Sequence, residues 1–223
     1  MVKSRQFALI YRVTAFTIAT AGFLAMLGIT VDTFAPEIMM FYTMQSNLMG
    51  IVLFGILIFK TSRDLYKNQS GHSGYYPRLE MVVSVILFLT FFVYWTLLAP
   101  QMFTMETDFN MWSFGNLATH AFTPLLLLLD YVLFSPPRNL KYRDVYYVLI
   151  YPFLYILFTS IAGLLGYVYF ISAEDGLPVR FPYFFFDFDR IGALSFAFIG
   201  GLMIFLLIIG HVFYFVDKRR KPG

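Results

Sequence analysis

Cysteine is missing altogether from this 223-residue sequence, which excludes disulfides, thiolate nucleophiles and cysteine-based metal sites. Charge is scarce too. Asp, Glu, Lys and Arg make up 13% of the residues, about half their share in an ordinary soluble domain. There is no glycine-rich phosphate loop, no Walker pattern and no His-Glu-x-x-His zinc motif. Internal repeats, low-complexity tracts and a domain boundary are lacking as well. Of the three histidines, only His120 lies well inside an apolar stretch, so a metal centre lacks its ligands. No cofactor is expected.

Apolar residues are abundant instead, at 59% of the chain, with a mean hydropathy of +0.71. A soluble fold of this length could not hide so much apolar surface, whereas a bilayer leaves it in place. Crossing about 30 Å of hydrocarbon takes roughly 20 helical residues. Six stretches are long enough: 8–31, 39–59, 79–99, 113–134, 146–170 and 191–215. The reading is therefore an all-α polytopic membrane protein, one six-transmembrane-helix bundle spanning 1–223. The first stretch is a span rather than a cleaved signal peptide, because it is too long, lacks a small-residue cleavage site and carries Arg12.

Basic residues orient the bundle. Lys3, Arg5 and Arg12 precede or begin the first span, and Lys60, Arg63, Lys67 and Arg78 lie between the second and third. Arg138, Lys141 and Arg143 lie between the fourth and fifth, and Lys218, Arg219, Arg220 and Lys221 close the chain. The other loops hold only Arg180 and Arg190. Fourteen against two puts the N-terminus and the C-terminus in the cytoplasm. Asp32, Glu37, Glu106, Asp108, Glu174 and Asp175 then face outward. Glu80 is expected among basic residues at headgroup level, and the Lys218–Lys221 cluster to touch anionic lipid. The net charge of +3 thus reports topology, not nucleic-acid binding.

Two polar groups interrupt the apolar spans. In Phe41-Tyr42-Thr43-Met44-Gln45-Ser46-Asn47, residues Thr43, Ser46 and Asn47 share one helix face. They should face protein, either as hydrogen-bonding contacts between helices or as a site. In the fourth span Asn116, His120 and Thr123 share a face. An ionisable side chain inside a span marks a candidate site; the competing reading is a satisfied structural histidine. Pro124 has no amide for the His120 carbonyl, so the helix should kink there and leave that carbonyl to a side chain or water. Tyr147, Tyr151 and Tyr155 recur every four residues in the fifth span, and each phenol needs a partner where it is buried.

Depth links the two groups. Thr43 lies about four residues into its span and His120 about seven into its own, a difference of roughly 5 Å. A hydroxyl and an imidazole at one outer-leaflet level are the minimum for nucleophilic catalysis. Ser46 is the reserve nucleophile, and Asn47 or Asn116 could orient the imidazole or donate to an oxyanion. A triad would add a carboxylate. Asp130, ten residues further on, lies about 15 Å too deep. Asp187 and Asp189, in the loop Phe181-Pro182-Tyr183-Phe184-Phe185-Phe186-Asp187-Phe188-Asp189, come near only if that loop folds into the bundle mouth rather than resting at the headgroups. Tyr151, Tyr155, Tyr183 and Asp187 are the candidate pocket or lid residues.

Phe-Tyr-Thr-x-x-Ser-Asn opening the second span and Asn-Leu-x-Thr-His-x-x-x-Pro in the fourth resemble the FAR-17a/androgen-induced protein (ADTRP-like) family, and still more its bacterial six-transmembrane relatives. Weaker echoes are Asp130, Tyr151-Pro152 and Pro182-Tyr183. Animal members are intramembrane threonine hydrolases that cleave esters of fatty acids with hydroxy fatty acids. The resemblance implies Thr43 as nucleophile and His120 as general base. It implies a lipid-ester hydrolase acting on a membrane lipid or fatty-acyl substrate. The missing cysteine and the bacterial-type motif flanks point to a bacterial plasma membrane. The alternative is a non-catalytic lipid- or small-molecule-binding membrane protein, a sensor or a transporter. A transporter of this size would often show symmetry between its halves, and none is present.

Overall fold

The computed structural model describes residues 2–30, 34–69, 71–102, 110–172 and 175–220. Asp32, Glu106, Asp108, Glu174 and Lys221 lie outside the described residues. The chain is an all-α polytopic bundle with six helices long and apolar enough to cross a membrane. Helix one is Arg5–Met26, helix two Tyr42–Tyr66, helix three Pro77–Leu98, helix four Phe114–Phe134, helix five Tyr142–Leu164 and helix six Leu194–Arg219. Both ends of the chain meet helix four at its cytoplasmic end, through the Val2 amide on Leu133 and the Arg220 guanidinium on Val132 and Ser135 carbonyls.

Most helices sit a few residues closer to the cytoplasm than hydropathy places them. Helix one starts at Arg5 and stops at Met26, not 8–31, while helices two and six run on to Tyr66 and Arg219. Their polar ends stay helical because they have partners: Arg5 of helix one pairs with Asp64 of helix two at 3.6 Å. Helix five ends at Leu164 rather than near 170, where Gly166 at φ +87° lets the Tyr167 amide turn back onto the Ala162 carbonyl. A short hairpin follows, pairing Phe170–Ile171 antiparallel with Pro178–Val179.

Helix one buries a stripe of small residues, Ala8, Ala15, Ala19 and Gly22, which allows its backbone to approach its neighbours closely. A Cβ at Gly22 would sit 2.1 Å from the Ala118 Cβ of helix four. Arg12 lies in the same stripe and is fully buried. Its guanidinium forks onto Asp130, with Nε–Oδ1 at 2.7 Å and Nη2–Oδ2 at 3.0 Å. Its Nη1 donates to Thr61 Oγ1 (2.6 Å) and the Ser73 carbonyl (2.8 Å). Arg12 is therefore an interior ion-pair partner, not a loop charge that sets topology. The charge asymmetry survives its removal, at thirteen against two.

Glu80 also departs from expectation. It is buried and accepts from the Tyr75 and Tyr76 amides and the Ser135 hydroxyl, not from basic residues at the headgroups. These amides precede a helix that starts with proline, so the carboxylate supplies the acceptors they would lack in hydrocarbon. Asp144 and Asp217 do similar work, on the Lys141 and Leu140 amides. Breaking the Arg12–Asp130 pair from one side should leave a buried charge without compensation, at a cost of about 3–5 kcal/mol. Thermal unfolding in detergent should show Arg12→Leu strongly destabilised. The double replacement Arg12→Leu with Asp130→Leu should recover most of the loss.

Candidate active site

Two helices are wound too wide at the same level. In helix three the Ala99 amide reaches back five residues to Tyr94, and in helix four the Thr123 amide reaches back five to Ala118. Both are π turns, and each closes on the residue just before a proline, Pro100 or Pro124. A proline ring clashes with the carbonyl four residues earlier, and a wider turn relieves the clash. The carbonyl freed in helix four, that of His120, accepts the Trp95 indole N–H at 3.2 Å. The expected kink and its free carbonyl are both present, with a side chain as the partner.

The wide turns bring the two helices together around an imidazole. The Tyr94 ring stacks on His120 with centroids 3.8 Å apart and planes 26° from parallel. Asn116 Nδ2 donates to the Tyr94 hydroxyl and the Met111 carbonyl, both at 2.6 Å. His120 Nδ1 lies 3.1 Å from the Asn116 carbonyl oxygen and 3.2 Å from Thr119 Oγ1. A carbonyl can only accept, so Nδ1 carries the ring proton and Nε2 keeps its lone pair. That nitrogen is 3.3 Å from Thr43 Oγ1 and accepts its hydroxyl proton. The bond is long, as such bonds often are without substrate.

The residue pair read from depth is thus in contact, and what stands behind the histidine is a backbone carbonyl. Asp187 is directed elsewhere. Its carboxylate accepts from the Asp189 and Arg190 amides and meets the Arg190 guanidinium at 3.3 Å. Asp130 pairs with Arg12 in the cytoplasmic half. Ser46 is fully buried and bonds to the Thr43 carbonyl and Thr90 Oγ1. Asn47 Nδ2 bridges the Thr43 and Thr119 carbonyls at 2.8 and 3.0 Å, tying helix two to helix four beneath the site. Their side chains hold the helices that present Thr43 and His120.

Thr43 is the second residue of helix two, whose preceding residue, Phe41, offers no side-chain cap. A free amide of this first turn is met by a tyrosine from elsewhere. Tyr155 accepts from the Tyr42 amide at 3.0 Å and donates to the Met40 carbonyl at 3.1 Å. The Tyr183 phenol stands beside the same turn, next to Thr43, Tyr42 and Tyr155. Burial pushes it above its ordinary range although these polar neighbours pull it back, so it stays neutral. Tyr151 donates to Gln45 Oε1 at 3.1 Å. Tyr147 does not join the row. Residues Tyr142–Leu149 are wound as a 3-10 helix, with fewer residues per turn, before Pro152, and Tyr147 lies under the Arg78 guanidinium.

The loop carrying Tyr183 folds into the bundle mouth, and Phe185 and Phe186 are buried there. Beneath it, bordered by Thr43 and Tyr94, lies a cavity of about 550 Å³ including its mouth. It is narrow: a water molecule's centre fits in only about 50 Å³ of it. Its walls come from helices three, five and six and are almost wholly aliphatic and aromatic, Thr43, Thr90 and tyrosines being the polar exceptions. Along helix three it extends from Leu89 to Leu98, about 13 Å.

Comparison with protein-family models, curated proteins and solved structures returns no match. The site therefore stands on its own geometry. Among the described residues no group of His, Asp and Glu is placed to hold a metal. Tyr94 and Trp95 escape the polar-face pattern because their polar atoms sit on large apolar rings; Pro100, ahead of which helix three widens, is the signal that could have drawn attention to them. Nitrogen NMR of isotope-labelled histidine should find Nδ1 of His120 protonated and Nε2 bare. The opposite tautomer would leave Thr43 without a proton acceptor.

Proposed function

We propose that this chain is an intramembrane lipid-ester hydrolase with Thr43 as nucleophile and His120 as general base. The observation that carries the reading is the Nε2–Oγ1 contact of 3.3 Å, with Nδ1 held on the Asn116 carbonyl, at the head of a narrow apolar slot. Thr43 Oγ1 attacks the ester carbonyl carbon while Nε2 takes its proton. The tetrahedral oxyanion forms at the start of helix two, where the helix end is electropositive and the Thr43 amide and the Tyr183 hydroxyl are the candidate donors. As the C–O bond breaks, the imidazolium returns the proton to the departing alkoxide. A water then attacks the acyl-threonine, His120 takes its proton, and the free acid leaves with Thr43 restored. The resemblance to the FAR-17a/androgen-induced protein family supports the same two roles and suggests a fatty-acid ester of a hydroxy fatty acid as substrate.

A lipid-binding protein without catalysis, a sensor or a transporter, would need the slot alone. It gives no reason for a bare imidazole nitrogen aimed at a hydroxyl that lines the slot. Purified protein should react with an alkyl fluorophosphonate at Thr43. Thr43→Ala should abolish that labelling, and His120→Ala should slow it by about 10²–10⁴-fold. Tyr183→Phe should slow ester turnover by roughly 10²-fold, as loss of one oxyanion donor does. Labelling that is equal in wild type, Thr43→Ala and His120→Ala would overturn the assignment.

A further inference from the structure

We infer that the slot at Thr43 opens into the bilayer at its deep end, between helices five and six over Met203, and that one unbranched acyl chain threads it with its tail in the hydrocarbon. Met203 is the link. It lines the interior slot, and it also lines a lipid-facing groove with Leu149, Ile150, Phe153 and Leu154 of helix five. A single side chain therefore separates the interior from the membrane, and methionine is unbranched and flexible enough to swing aside.

Helices five and six close on the cytoplasmic side of this point and part on the other. Below it, Gly210 lets Val145 approach so nearly that a Cβ would meet it at 2.9 Å, and His211 packs on the Tyr142 ring with centroids 5.4 Å apart. Above it the slot itself runs between Ile156 of helix five and Ile199 and Leu202 of helix six.

Depth identifies the occupant. Met203 lies nine residues from the outer end of helix six, about 14 Å down and close to the middle of a 30 Å hydrocarbon core. Thr43 sits at the top. A chain with its carbonyl at Thr43 and its tail at Met203 runs in the same sense as an outer-leaflet lipid. The lining at that depth is almost wholly apolar, Leu89, Met203 and Leu206 with Thr90, whose hydroxyl is already bonded to Ser46, so the slot suits a hydrocarbon chain. A chain longer than the slot continues past Met203 into the bilayer, so the site should tolerate long chains without a ceiling.

The inference rests on the hydrolase reading for what is cut at Thr43; the path of the chain does not. Met203→Trp should plug the deep end, with Met203→Ala as its open control. Hydrolysis of octanoyl and stearoyl esters of a hydroxy fatty acid should separate: Met203→Trp lowers the stearoyl-to-octanoyl turnover ratio at least about ten-fold, while Met203→Ala keeps the wild-type ratio. The second readout needs no catalysis. Thr43→Ala protein in phosphatidylcholine nanodiscs, irradiated with stearic acid carrying a diazirine at its methyl end, should crosslink within 149–154 and at Met203, and Met203→Trp should remove those crosslinks. Crosslinks spread evenly over all lipid-facing helices, or an unchanged chain-length profile in Met203→Trp, would overturn the portal. Crosslinking at Met203 in a protein that cleaves no ester and takes no fluorophosphonate would keep the portal and discard the hydrolase.

Discussion

A guanidinium sealed inside hydrocarbon must be met on every side by the protein, and Arg12 is met by three different parts of the chain. Asp130 of helix four neutralises it, Thr61 of helix two and the Ser73 carbonyl accept its remaining protons, and the arrangement cannot slide without stranding a charge. This fixes the antiparallel register of helices one and four. Gly22, ten residues up helix one from Arg12, meets Ala118, twelve residues up helix four from Asp130. Ala118 opens the π turn that carries His120. The cytoplasmic ion pair and the outer-leaflet imidazole are thus two ends of one packed interface, and the small residues between them transmit its register.

The two ends treat polarity differently. In the cytoplasmic half each carboxylate accepts from an amide, a hydroxyl or a guanidinium, and these bonds hold helices and loops together. Near the outer face a hydroxyl borders an apolar slot and a base keeps an unprotonated nitrogen directed at it. Both helices that frame the base carry π turns, a form frequent at functional sites, which redirects side chains and loosens carbonyls from the ladder. Two π turns at one level, on either side of a buried imidazole, are the kind of local irregularity that a site built at the expense of regular order produces.

Much of this was legible in the residues. Six spans, their orientation, the shared level of Thr43 and His120 and the free carbonyl ahead of Pro124 all follow from hydropathy, charge, helical rise and proline chemistry. Other features were not, for definite reasons. A buried arginine near a span's start looks the same as a topology-setting arginine until its partner, 118 residues away, is brought beside it. The group behind His120 is a main-chain carbonyl, which every residue possesses and no sequence motif marks. Tyr147 fell out of its four-residue row because residues 142–149 are wound as a 3-10 helix, and a spacing argument assumes a uniform helix. The slot arises from the splay of helices five and six, which depends on where Gly210 permits contact.

The choice of cap on helix two ties the fold to the chemistry. Helix N-termini are ordinarily capped by Asp, Asn, Ser or Thr, whose oxygens take up the free amides. Phe41 holds that place here and offers nothing, leaving the Tyr42 amide to the Tyr155 hydroxyl, with the Tyr183 phenol beside it. A carboxylate cap would cancel the positive end of the helix and repel any oxyanion forming beside Thr43. A neutral phenol does neither. Held by rings packed in the mouth, it can accept from the amides while the slot is empty and rotate its proton toward a substrate oxygen when one arrives. On the hydrolase reading, the aromatic loop over the mouth is therefore part of the electrostatics of the site and not only its cover. The helix two N-terminus, left without a charge of its own, supplies its field to the transition state.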